Sequence, residues 1–178
     1  NEALQQLDPY RKIFASKKDE FSAYYHEFFQ KLPEAKLVLD YEQRPGHMLK
    51  VWSYWFEKVF NSTVDEDLHA YLWRIGLRHV EVNLDQRFSN LGFSIIRQFC
   101  HKIVLAETKH SDKTAVIRLI DQIVDFCLLV ETSAYIEATT RCDIEIIKGI
   151  ADRVRNPVTV IGGSLKRLQR KVDAGSPV

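Results

Sequence analysis

The chain has 178 residues, 46% hydrophobic and 11% aromatic, with 7 glycines and 5 prolines. That is enough apolar mass for one domain with an appendage, and the scarcity of glycine and proline favours long helices over a strand-and-turn architecture. With 25 basic against 24 acidic residues, a net charge of +1, there is no electrostatic footprint for nucleic acid and no basic block for a membrane surface.

Asp8 before Pro9 reads as a cap and first-turn pair, and Tyr10, Ile13, Phe14, Phe21, Tyr24, Tyr25, Phe28 and Leu32 recur behind it at helical spacing. The spacing predicts one or two helices from Pro9 to about Lys31. Pro33 opens a short helical turn, PEAKLVL, and EQRPGH breaks the chain before an aromatic-rich helix from Met48 to Phe60. In NSTVDEDL, Thr63 and Glu66 have capping-box spacing, which starts a further helix. That helix stops at NLD, where Asp85 is a candidate cap for a long helix to about Ala106. KHSDK makes the last loop, and from Asp112 an apolar pattern runs without a breaker until Pro157. So long a helix exceeds what one core needs, so its far half is expected to project and find a partner. No stretch alternates as a strand, so the fold class is all-α, with residues 1–140 as the domain and 141–178 as a C-terminal linker or dimerisation helix. Cys100, Cys127 and Cys142 lack CxxC spacing and read as buried thiols of a cytoplasmic protein. No apolar run reaches membrane-span length, the start NEALQQLDPY has no signal-peptide shape, and the absence of a first methionine reads as trimmed ends.

The helix LWRIGLRHVEVNLDQRF poses the central question. On a repeat of about 3.6 residues, Trp73, Gly76, His79, Val80 and Asn83 fall in one stripe, which puts a histidine on an apolar face. Taken alone, such a histidine is more often a satisfied core residue than a ligand. Yet RIG, two residues, His79, NLD and a long apolar helix beginning QRFSNLGF resemble the F and G helices of the globin domain in globin-coupled sensors, the bacterial haem-based gas sensors. FSAYYHEFFQKLPEAK is similar to their B helix and MLKVWSYWFEKVF to their E helix, so the resemblance covers about residues 8 to 135.

The resemblance implies a globin-like helical sandwich around haem b, with an extended C-terminal helix. It makes His79 the proximal iron ligand through Nε2, its Nδ1–H directed at a carbonyl near Ile75. Gly76 would let either the macrocycle or a neighbouring helix approach closely. Tyr25 matches the distal tyrosine, a phenol that can add ~1–3 kcal/mol by hydrogen bonding to a bound gas carrying partial negative charge. Tyr24, one position away, is the alternative. The remaining pocket would be drawn from Phe21, Phe28, Met48, Val51, Trp52, Phe88, Phe93 and Ile123, each of which could equally be ordinary core. Arg74, Arg78, Arg87 and Lys50 compete as cations for the haem propionates, Arg78 being the one assigned to the cofactor. His47 reads as a loop residue that could serve as a sixth ligand, and His26, His69, His101 and His110 receive no role.

IADRVRNPVTVIGGSLKRLQRK, Ile150 to Lys171, resembles the phospho-acceptor helix of sensor histidine kinases, with Asp152 where the phosphorylated histidine would stand. Aspartate cannot be an N-phosphoryl carrier, so the segment has lost phosphotransfer or is only a similar dimerisation hairpin. A kinked amphipathic helix broken at Pro157 explains the same residues.

The resemblance to globin-coupled sensors implies a sensor of a diatomic gas, oxygen first with carbon monoxide and nitric oxide as further ligands. It would form a homodimer through its last two long helices and signal to a C-terminal output module, with no nucleic-acid or membrane partner. Two rivals stand beside that reading: a haem-free globin-fold scaffold of a stress-signalling complex, and a haem enzyme consuming nitric oxide. The chain contains no glycine-rich phosphate loop, so it is not expected to be an enzyme by itself, and histidine-kinase activity of a longer protein stays open.

Overall fold

The computed structural model describes residues 7–41, 44–106 and 113–173, and every regular element among them is a helix, as the spacing requires. The six helices are α1 (Asp8–Gln30), α2 (Pro33–Tyr41), α3 (His47–Asn61), α4 (Glu66–Glu81), α5 (Gln86–Ala106) and α6 (Lys113–Asp173). The last loop, KHSDK, lies outside the described residues except for Lys113, the first residue of α6. The chain divides into two compact units, Asn1–Ile136 and Glu137–Val178. Among the described residues no helix is long and apolar enough to cross a membrane.

The first unit is built on an aromatic spine where α1 crosses α3. Phe21 stacks on Phe56 with ring centroids 4.3 Å apart, and Phe14 lies 4.8 Å from Phe60. Such pairs add about 0.5–1.5 kcal/mol each beyond the area they bury. Polar links flank the spine: Ser22 Oγ donates to the Leu49 carbonyl at 2.5 Å, Ser53 Oγ to Asp19 at 2.7 Å, and Lys18 pairs with Glu57 at 2.6 Å. Phe93, Phe99 and Cys100 of α5 and Ile120, Val124 and Cys127 of α6 complete the core.

Helix ends refine two expectations. The cap of α4 is Asp65 rather than Thr63: its carboxylate accepts the Leu68 N–H at 2.9 Å, while the Thr63 hydroxyl donates to that same carboxylate. Asp65 wins because its short carboxylate, in extended backbone, reaches the third helical N–H directly. Likewise Leu7 occupies the N-cap of α1, and Asp8 sits inside the first turn, paired with Arg11 at 2.9 Å. Asp85 caps α5 as expected, its carboxylate accepting the Arg87 N–H at 2.9 Å.

The second unit is helical to Asp173, with Pro157 inside the helix. No turn interrupts residues 150–171, which removes the break at Pro157. Its residues are almost all exposed, and this corrects the expectation for the third thiol: Cys100 and Cys127 are buried, whereas Cys142 is exposed because its helical segment has no layer packed over it within that unit.

Candidate functional site

A cavity of about 1070 Å³ opens in the first unit, with side chains from all six helices around it. This is the upper end of the roughly 300–1,000 Å³ range of small-molecule pockets. Tyr71, Ile75, Arg78 and His79 of α4, with Val82 just past its end, form one wall. The cavity face of α4 is therefore turned slightly from the expected stripe, and Gly76 faces α6 instead. A Cβ at Gly76 would collide with the Glu131 carbonyl oxygen and come within 2.8 Å of the Ala134 Cβ. Glycine is required here by the neighbouring helix.

His79 is fixed by the way its helix ends. Asn83 adopts φ 52°, the left-handed conformation in which asparagine is tolerated. Its N–H donates to the Val80 carbonyl at 3.0 Å, and the Leu84 N–H donates to the His79 carbonyl at 2.9 Å. These paired bonds are a Schellman closure, and they pin the last turn of α4 with the imidazole in it. Burial pushes the His79 pKa down to about 4, so the ring is neutral at pH 7 and has a lone pair available for a metal.

A residue that the sequence reading passed over stands next to this ring. Glu131 of α6 is 4% exposed; its Oε1 accepts the Trp55 indole N–H at 3.4 Å, and its Oε2 lies 3.9 Å from His79 Nδ1. Glu131 thus places a carboxyl oxygen near Nδ1, a group that the expectation of a carbonyl near Ile75 did not include. Burial raises its pKa to about 8, the indole hydrogen bond opposing that shift. The signal was in the sequence: Glu131 follows Cys127 by four residues and precedes Ala134 by three, and both of those are buried.

Tyr25 lines the cavity, boxed by Phe29, Trp52 and Phe21 at ring distances of 4.8, 4.9 and 5.2 Å. Burial raises its pKa, keeping the phenol protonated as a donor. Its hydroxyl fits over Gly92 of α5, where any Cβ would collide with it. Tyr24, by contrast, is 46% exposed and stacks on Phe99.

Of the other expected pocket residues, Phe21, Met48, Val51, Trp52, Arg78, Phe88 and Phe93 all border the cavity. Phe28 does not: it packs with Phe29, Ala35 and Ile95 in a separate cluster, and Phe29 takes the cavity position. Helical phase does not separate the two, since Phe28 and Phe29 stand three and four residues from Tyr25; the packing of Phe28 against Ala35 of α2 and Ile95 of α5 takes it out of the lining. Ile123 belongs to the main core. Among the cations, Arg78 and Lys50 border the cavity together with Arg44, and Arg74 and Arg87 do not; Arg87 is held by Asp85 at 2.8 Å. His47, the first residue of α3, also borders it, 3.1 Å from Arg44. His69 stacks on Trp73 and His101 bonds Asp121 at 2.8 Å, both outside the cavity lining.

Among the described residues no group of three or more His, Cys, Asp or Glu could hold a bare metal ion. A single neutral imidazole suffices only where the metal's other positions are already filled, as in a metalloporphyrin. An apolar slot of this volume, with one such imidazole and with Arg78, Arg44 and Lys50 for an anionic edge, fits haem.

The structure resembles the globin domain of a Geobacter sulfurreducens globin-coupled sensor, with a TM-score of 0.71 and 19% identity over 75% of this chain and 89% of that one. The globin domain of E. coli DosC, in ferric and ferrous crystal forms, matches at a TM-score of 0.65 and 16% identity over the same shares. No curated protein matches the sequence. The globin-like fold expected from the sequence is therefore the fold observed. The protoglobin family matches residues 1–141, most of the chain, and the protein belongs to that family.

Proposed function

We propose that the first unit binds haem b through His79 Nε2 and senses a diatomic gas, oxygen first, with Tyr25 as the hydrogen-bond donor to that gas. The observation that carries this reading is the joint placement of a neutral imidazole and a protonated phenol on one apolar cavity. When bound, haem supplies an iron with an open position for a small ligand. His79 holds that iron from the pinned end of α4, and the Tyr25 hydroxyl, seated over Gly92, is a fixed donor. Phe21, Val51, Trp52, Phe88 and Phe93 exclude water, and Arg78, with Lys50 and Arg44, meets the propionates.

The ligation state would pass to a C-terminal output module, a histidine kinase being one form of it, through a homodimer formed by α5 and α6. Support for the dimer comes from the second unit. Ile144, Ile147, Val154, Val158, Ile161, Leu165 and Leu168 are all at least 45% exposed, and with Ala151 they alternate at three- and four-residue steps. That is the seam of a left-handed coiled coil. Asp152 leaves this helix without a phospho-acceptor histidine, so its role is mechanical. The chain is cytoplasmic in this reading and is not an enzyme alone.

The test is the absorption spectrum of the full chain purified after haem supplementation, with its His79→Ala and Tyr25→Phe variants. The expected result is a strong band near the violet edge, lost or loosened haem in His79→Ala, and faster oxygen release in Tyr25→Phe. A colourless protein, with both variants indistinguishable from it, would establish the haem-free scaffold instead.

A further inference from the structure

Three polar groups from three helices meet at the cavity wall. Trp55 comes from α3, His79 from α4 and Glu131 from α6, and all three border the cavity. The Glu131 carboxyl is almost completely enclosed, and one of its oxygens is held by the Trp55 indole at 3.4 Å. The other oxygen lies 3.9 Å from His79 Nδ1, too far for a hydrogen bond in this structure. Closing that gap takes a ring displacement of about 1 Å, to the usual N–H···O distance.

The burial of this carboxyl needs a reason. An enclosed acid costs free energy unless it is bonded, and one long indole contact leaves most of its lone pairs unused. Its backbone is also held where it is: α4 comes close enough only because position 76 is glycine, and His79 lies on the next turn of that helix. An imidazole that ligates a metal through Nε2 carries its proton on Nδ1, and that N–H needs an acceptor to fix the ring and its tautomer.

Resting on the haem-binding reading above, we infer that Glu131 is the positioning residue of the proximal imidazole, accepting the His79 Nδ1–H when Nε2 holds iron. With its carboxyl ionised, Glu131 as acceptor gives the imidazole more anionic character than a peptide carbonyl does, which strengthens the iron–nitrogen bond and favours the ferric state. Trp55 limits that effect by sharing the same carboxyl. The consequence is a proximal side set by a side chain on α6.

The experiment is resonance Raman of the ferrous, haem-loaded full chain in the iron–histidine stretching region, with a redox titration, on the parent and on Glu131→Gln, Glu131→Leu and Trp55→Phe. Haem content is measured first. The stretch is expected to move to lower frequency and the midpoint potential to rise in Glu131→Gln, further in Glu131→Leu, and both to move the opposite way in Trp55→Phe. Trp55→Phe keeps the carboxyl in place, so it decides the matter even where Glu131→Leu fails to fold. Haem bound at full stoichiometry with stretch and potential unmoved in Glu131→Gln and Trp55→Phe overturns this inference alone. A parent chain that takes up no haem overturns both this inference and the reading on which it rests.

Discussion

Gly76 of α4 rests directly on the backbone of Glu131 in α6: a Cβ added at Gly76 would stand 3.1 Å from the Glu131 carbonyl carbon and closer still to its oxygen. Backbone cannot step aside as a side-chain tip can. Replacing glycine by alanine inside a helix ordinarily gains up to about 1 kcal/mol. At this position the overpacking cost, typically 1–3 kcal/mol, outweighs that gain. Gly76→Ala is therefore expected to lower the urea midpoint of the haem-free chain and to weaken haem retention. An unchanged or higher midpoint would show that α4 and α6 are not in this contact.

Gly92→Ala acts on the other side of the cavity. Its new methyl would occupy the space of the Tyr25 hydroxyl, which moves at little cost because it ends a side chain. Oxygen dissociation measured by stopped flow is expected to accelerate towards the rate of Tyr25→Phe, and the double variant to add little more. Independent, multiplicative effects would mean that the phenol is not seated by Gly92.

How much of this was legible in the chain beforehand depends on the kind of signal. Helix existence followed from spacing, and the start of α5 from a single carboxylate, Asp85, because capping is local chemistry. Tyr25 and Tyr24 are adjacent in the chain, and only the fold shows that the first lines the cavity while the second is exposed. Phe28 was misplaced because aromatics stand at both three and four residues from Tyr25, and only the packing of α2 and α5 decides between them. Glu131 was missed for a different reason: a lone acid in a helical run looks like a solvated face until its register against Cys127 and Ala134 is followed. Its partners, Trp55 and His79, are 76 and 52 residues away, a distance no local pattern bridges.

Asp65 gives a pH-dependent outcome. The Thr63 hydroxyl, and then the Leu68 N–H, hold its carboxyl below the usual carboxylate range. The unfolded chain therefore binds this proton at higher pH than the folded one does. The stabilisation is complete above the ordinary carboxylate pKa and fades as pH falls through the lowered one. Asp65→Ala should lower the urea midpoint at pH 7, and the gap to the parent should narrow on acidification below pH ~4. A gap that widens in acid would contradict the cap.

Thiol chemistry separates the two units. Cys100 and Cys127 are buried with their pKa values pushed up by desolvation, and Cys142 is exposed. A chromogenic disulfide reagent should titrate one thiol in the native chain and all three in denaturant, and Cys142→Ser should abolish the native reaction. Rapid native reaction at a second thiol would mean that the core opens.

The apolar seam of the second unit predicts its own disruption. Ile161→Glu places a charge in the middle of that seam and is expected to convert a dimer to a monomer in light scattering, with the haem spectrum unchanged. A dimer that survives the charge would move the interface to α5 and the first half of α6.

Two of the three tryptophans, Trp52 and Trp55, border the cavity, and the third, Trp73, does not. Their emission is thus a built-in gauge of occupancy: a porphyrin entering the slot lies within energy-transfer range of both indoles and darkens them together. Titrating the apoprotein and counting equivalents at the break in the curve gives the stoichiometry from fluorescence alone, without any label.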